Sequence, residues 1–208
     1  MAALPDGGFL IGDSGNDRIR RVWPDAHIST VAGNGKRGFS GDGGPATAAS
    51  LYAPGSVAVL PDGGFLITDG NRVRRVWPDR RISSVLNGST RNMAVGGLAV
   101  MPDGGVLISG PDRVWRLSPD GHTSVVAGNG TQGFSGDGGP ATAASLDASA
   151  IAALPDGGFL IAEGFNDRVR RVWRDGHIST VAGDGKGATG GGGGAPFSGE
   201  GAPATAAR

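Results

Sequence analysis

Three sets of residues in this sequence have types and spacings that could do chemistry. His27, His122 and His177 each follow a PDA, PDG or RDG turn, and Arg81 fills the matching place in one further segment. Three imidazoles could hold zinc, but the ion needs ligands converging within about 2 Å of one point. Side chains at one repeated position sit on separate segments, so these histidines read as residues at strand starts. Carboxylates recur at Asp13, Asp69 and Glu163, where a cation site would be conceivable. Gly110 takes the fourth place, and no histidine joins the set. Arginines recur as Arg18, Arg20 and Arg21, then Arg72, Arg74 and Arg75, then Arg168, Arg170 and Arg171. A basic stripe of Arg20, Arg21, Arg74, Arg75, Arg170 and Arg171 could contact phosphates and stack on unpaired bases.

Composition weighs against that last chemistry. Lys plus Arg is 19 and Asp plus Glu is 19, so no net charge draws the chain to nucleic acid or an anionic surface. The Asp-rich turns can pair the arginines, at about 0–1 kcal/mol per surface pair. Nucleic acid is therefore not the expected partner. There is no cysteine, which removes disulfides, thiolate metal sites and a cysteine nucleophile. No apolar run approaches the ~18 residues of a membrane span. MAALPDGG has neither the basic nor the apolar region of a signal peptide.

The elements that must position these residues are written as a repeat. PDGG recurs at Pro5, Pro61, Pro102 and Pro155, with spacings of 56, 41 and 53 residues. Around each anchor stand four apolar runs of four to seven residues, split by Pro-Asp-Gly, Gly-Asn and Asp-Gly. Runs this short, without a 3.6 period, predict four strands joined by tight hairpins. Four strands per unit of roughly 40 residues point to propeller blades. Blade limits are expected near 1–54, 55–95, 96–148 and 149–208 within one domain, with a Gly-rich linker at 188–196.

The length variation falls between blades. GFSGDGGPATAASL runs from Gly38 to Leu51 and returns letter for letter at Gly133 to Leu146; PFSGEGAPATAAR, from Pro196 to Arg208, is a third copy. It is expected to connect the last strand of one blade to the first of the next, with PATAAS making a short helical turn behind Pro45 or Pro140. Phe39 and Phe134 would pin it to the blade, and Asp42 and Asp137 would cap turns. Asn34, Phe39, Asp42, Asn129, Phe134 and Asp137 are thus the candidate binding residues of the inter-blade loops. Trp23, Trp77, Trp115 and Trp173 are expected to pack between blades.

FLIGDSGNDRIRRV and FLIAEGFNDRVRRV, each near GGPATAASL, resemble the NHL repeat of bacterial tandem NHL proteins and of teneurin-type NHL domains. The resemblance covers nearly the whole chain and implies a β-propeller, commonly of six blades. Four units then imply an incomplete ring, with self-association through open blade edges. It also implies that Asp13, Asn16 and Arg18, like Glu163, Asn166 and Arg168, form an intrablade hydrogen-bonding device. Bacterial arrays of this look are often secreted or attached to envelope proteins. The expected function is a non-enzymatic binding or scaffold module without a cofactor, presenting its inter-blade loops to a protein or glycan. The alternatives are a metal-assisted hydrolase or lyase of the lactonase-like propeller kind, and an RNA-binding propeller.

Overall fold

The computed structural model describes residues 1–87, 95–186 and 199–207. The Gly-rich stretch 188–196 lies outside them. The chain is all-β, and its described residues form sixteen strands in four antiparallel four-stranded sheets, each ordered as in sequence. The first sheet holds β1 (Ala2–Ala3), β2 (Phe9–Asp13), β3 (Arg18–Val22) and β4 (Ile28–Ala32). The second holds β5 (Val57–Val59), β6 (Phe65–Asp69), β7 (Arg72–Val76) and β8 (Ile82–Asn87). The third holds β9 (Leu98–Val100), β10 (Val106–Ser109), β11 (Val114–Leu117) and β12 (Thr123–Ala127). The fourth holds β13 (Ala150–Ala153), β14 (Phe159–Glu163), β15 (Arg168–Val172) and β16 (Ile178–Ala182). These are four blades of the propeller class, a number that fits an incomplete ring.

The turns form for the reasons their residues suggest. In PDGG the Gly7 N–H closes on the Leu4 carbonyl at 3.1 Å, while Asp6 Oδ1 accepts from the Gly8 N–H at 3.0 Å. The same pair of bonds recurs at the other three anchors. Each third strand pairs with its second in one register, which places Ile11 opposite Arg20, Ile67 opposite Arg74, Ile108 opposite Trp115 and Ile161 opposite Arg170. A bulge interrupts the third-to-fourth pairing just before that same position in every blade. Bulges re-aim the side chains beside them, and here they repeat at one register position, held by arginine in three blades and by Trp115 in the third.

Two compact units make up the chain, Met1–Val100 and Met101–Arg208. In the first, Leu10, Ile19, Leu51, Ile67 and Ile82 share one core with Ala46 and Ala49 of the connector. In the second, Leu107, Ile108, Leu146, Ile161 and Ile178 are fully buried, as is Ala144 of the matching connector. The tryptophans depart from expectation. Trp115 is buried, but Trp23, Trp77 and Trp173 are exposed and stand on the blade surface. The arginine one turn of the pleat before each, Arg21, Arg75 or Arg171, lies 3.5–3.7 Å from its ring centre. Each indole N–H donates to Ser29, Ser83 or Ser179. A ring that keeps a hydrogen bond and a cation on its face satisfies itself without burial.

Candidate functional site

The repeated connector does more than join blades. Its short 3-10 turn, Ala46–Ala48 or Ala141–Ala143, begins behind Pro45 or Pro140 as expected. Just before the turn it pairs with the outermost strand of the following blade. Gly43 N–H donates to the Ile82 carbonyl at 2.8 Å, and Ile82 N–H returns a bond to Gly44 at 3.0 Å. Gly138, Gly139 and Ile178 repeat this at 2.7 and 3.0 Å. The connector thus covers a sheet edge that would otherwise be open to pairing.

A buried arginine locks it there. Arg74 donates to the Ser50 and Ser40 carbonyls at 3.1 and 2.9 Å and to Asp42 Oδ1 at 2.8 Å, with Asp69 Oδ2 at 3.4 Å. Arg170 does the same with the Ser145 and Ser135 carbonyls at 3.1 and 2.8 Å and Asp137 at 2.9 Å; Glu163 stands at 3.7 Å. Asp137 also accepts from both the N–H and the hydroxyl of Thr180, at 3.0 and 2.6 Å. Burial pushes the Asp42 carboxyl up, but bonds from Ser84 and Arg74 outweigh it and hold it below the usual range. For Asp69 and Glu163 burial wins, and both carboxyls are raised.

These contacts place the expected site residues. Arg74 and Arg170 have no exposed surface, so neither can reach a phosphate. Arg20 is half-buried, 3.8 Å from Asp13. Arg21, Arg75 and Arg171 are tied to the turn carboxylates of Asp6, Asp62 and Asp156. Asp42 and Asp137 bind the next blade's arginine. Asn34 and Asn129 brace the connector, donating to the Ala48 and Ala143 carbonyls at 2.9 and 3.1 Å. Phe39 and Phe134 are exposed, each 3.9–4.1 Å beneath Arg72 or Arg168 of the following blade.

The acid–Asn–Arg device is half as expected. Asn16 donates to Asp13 at 2.9 Å and Asn166 to Glu163 at 3.1 Å. The arginine facing the acid is Arg20, Arg74 or Arg170, two residues beyond the one expected. Arg18 and Arg168 instead reach the Asn34 and Asp184 carbonyls, at 3.2 and 3.0 Å. His27 and His177 are exposed beside Asp25 and Asp175 of their own turns, at 2.9 and 3.3 Å. Among the described residues no three His, Asp or Glu side chains are grouped to hold a metal ion.

One residue of the connector face has no counterpart in its copy. Tyr52 follows Leu51, whereas Asp147 follows Leu146. Together with Gly38, Phe39, Gly70, Asn71 and Arg72, Tyr52 lines a concavity of about 360 Å³. Tyr52 is 51% exposed and Phe39 45%. Gly70, at φ +60°, admits the tyrosine: a Cβ there would meet the ring at 3.1 Å. Arg37 stands 5.0 Å over the ring, and Asp69 accepts the Tyr52 backbone N–H. The sign that could have revealed it was the single tyrosine of the chain, in a place where the repeat otherwise copies itself.

Blades of four antiparallel strands joined by strand-covering connectors define a β-propeller of the NHL kind. The sequence matches the teneurin NHL domain over residues 24–186, and the chain belongs to that family. No curated protein matches it by sequence. Among solved structures it is similar to a streptogramin B lyase (16% identity, TM-score 0.61), covering 86% of this chain and 52% of the lyase. It is similar also to a gluconolactonase from Xanthomonas campestris (16%, TM-score 0.62), covering 86% and 59%. A structural-genomics protein from Bacteroides thetaiotaomicron of unknown function gives 22% and 0.54, covering 88% and 56%. The chain thus spans between half and three fifths of these neighbours' lengths, and at such identities the likeness shows the fold. The neighbours correct the expectation that this chain is not an enzyme. A lyase and a lactonase are built on this fold, so neither blades nor repeat symmetry argue against catalysis.

Proposed function

We propose that the chain is a binding module that presents its inter-blade loops to a glycan, which the concavity at Tyr52 receives. The observation carrying this reading is the pair of exposed residues Tyr52 and Phe39 flanking a recess that Gly38 and Gly70 also line. A pyranose offers a flat apolar face to such rings and hydroxyls at its rim. Arg72, in the lining, supplies donors for the hydroxyls. A volume of about 360 Å³ suits one or two sugar rings, at the lower end of the ~300–1,000 Å³ of small-ligand sites. A protein partner would need roughly 800 Å² of complementary surface per side, and the recess is far smaller.

A glycan array probed with the wild-type chain and with Tyr52→Ala tests this. Retention of a defined glycan class by the wild type, weakened about tenfold in the variant, is expected; tenfold corresponds to about 1.4 kcal/mol, within the range of an aromatic anchor. Equal retention by both proteins, or none by either, would refute the proposal.

A further inference from the structure

The connectors are received by a matched set of residues, and the match can be followed from blade to blade. The second and fourth blades, each entered by GFSGDGG, carry a buried arginine (Arg74, Arg170), a facing acid (Asp69, Glu163) and an isoleucine opening the outer strand (Ile82, Ile178). The third blade is entered by a different link, and at those three positions it has Trp115, Gly110 and Thr123. The receiving set therefore goes with the connector, not with the blade. The first blade carries the full set: Arg20, Asp13 and Ile28.

In the first blade that set is bare. Ile28 is 52% exposed, where Ile82 and Ile178 are at 0% beneath their connectors. Arg20 faces Asp13 at 3.8 Å, in place of the two carbonyls and second carboxylate that Arg74 and Arg170 each hold. The third connector is bare in the complementary way. Gly199–Ala207 has the same 3-10 turn, Ala204–Ala206. It makes the same bonds to its own blade, Gly183 N–H to the Ala204 carbonyl at 2.9 Å and Asp184 N–H to Ala207 at 3.0 Å. Those match Gly33 to Ala46 and Asn34 to Ala49, both at 2.9 Å. Yet Ala204 is exposed where Ala46 and Ala141 are buried, and Glu200, in the place of Asp42 and Asp137, is exposed as well.

We infer that the outer strand of the first blade is the docking site for a second copy of this chain, whose Gly199–Ala207 connector seats on Ile28 with Glu200 against Arg20. The seat follows the two already filled within the chain. By their pattern, Gly201 N–H would donate to the Ile28 carbonyl, Ile28 N–H to Ala202, and Ala204 N–H to the Ala26 carbonyl. Ile28 leaves water, an open strand edge is covered, and unlike charges meet at Arg20 and Glu200. This docking is independent of what the Tyr52 recess binds.

Two surface substitutions test it on the full chain. Ile28→Asp spoils the seat and Ala204→Arg spoils the connector; both side chains are exposed in the single chain, and circular dichroism checks that each variant folds. Light scattering behind size exclusion should show the wild-type mass rising with concentration above 20.7 kDa. Each variant alone should stay at 20.7 kDa. An equimolar mixture of the two should recover a two-chain species of 41.4 kDa (2 × 20.7), because one intact seat meets one intact connector. A wild type that stays at 20.7 kDa at every concentration, including one whose own connector closes on its own first blade, would overturn the inference. So would association that survives either substitution, or a mixture that fails to pair.

Discussion

Arg74 and Arg20 occupy one register position, opposite Ile67 and Ile11, but their surroundings differ, so the same substitution should give unlike results. Arg74→Met takes one shared donor from Asp42, Asp69 and two carbonyls and leaves the Asp69 carboxylate buried without its cation; breaking one side of a buried pair costs about 3–5 kcal/mol. Arg170→Met should match it. Arg20→Met, measured on the single chain, should cost less than about 1 kcal/mol, as for surface pairs. Denaturant unfolding of the three variants checks the order, and equal costs would contradict it. Acid sensitivity divides along the same lines. The Asp42 carboxyl lies below its ordinary 3.8, so its stabilisation is complete above 3.8 and is lost as pH falls towards the lowered value. Asp42→Asn should therefore flatten the acid limb of stability against pH. Asp69 is raised, so its ionisation erodes stability as pH rises from 3.8 through the raised value; Asp69→Asn should remove that decline. Both follow from unfolding curves between pH 3 and 7. At this scale the sequence was least legible. The arginine runs look alike as letters, and only the bulge beside each third strand decides which guanidinium turns inward and which lies on a tryptophan.

Connectors and hairpins were far more legible, because their residues act locally. Pro-Asp-Gly-Gly makes its turn through bonds within five residues, and the length of the fourteen-residue phrase already assigned it to a junction. Its reach was not legible. That Asp42 crosses to the next blade, 32 residues along, depends on packing that no spacing announces. The connector's shape should depend on Gly41 more than on Gly43. Both have positive φ, +87° and +80°, but a Cβ at Gly41 would lie 2.8 Å from the Ala49 Cα while one at Gly43 meets nothing within 4 Å. Gly43→Ala is expected to cost about 1–2 kcal/mol from backbone conformation alone. Gly41→Ala should cost clearly more, since backbone must also move. Thermal unfolding of the pair decides it, and equal melting points would contradict the packing described. The exposed tryptophans show the reverse: apolar letters at a strand end point to packing, while a neighbouring arginine and serine let them stay outside.

For the whole molecule, the period of the sequence was enough for the class, since four in-phase units leave little choice but blades, and membership in the teneurin NHL domain family agrees. Function was not legible at that scale, because the repeat hides what departs from it. Tyr52 is the departure, placed where an identical phrase ends and its copy continues with aspartate. The chain's single tyrosine makes the most direct measurement simple. Incorporating 3-fluorotyrosine gives one ¹⁹F resonance, reporting from the wall of the recess. Titration with free oligosaccharides derived from chitin, cellulose and mannan should move that resonance saturably for at least one of them, and Arg72→Ala should weaken the response. A resonance that stays in place across the whole panel would contradict the claim that the connector face at Tyr52 is a glycan site.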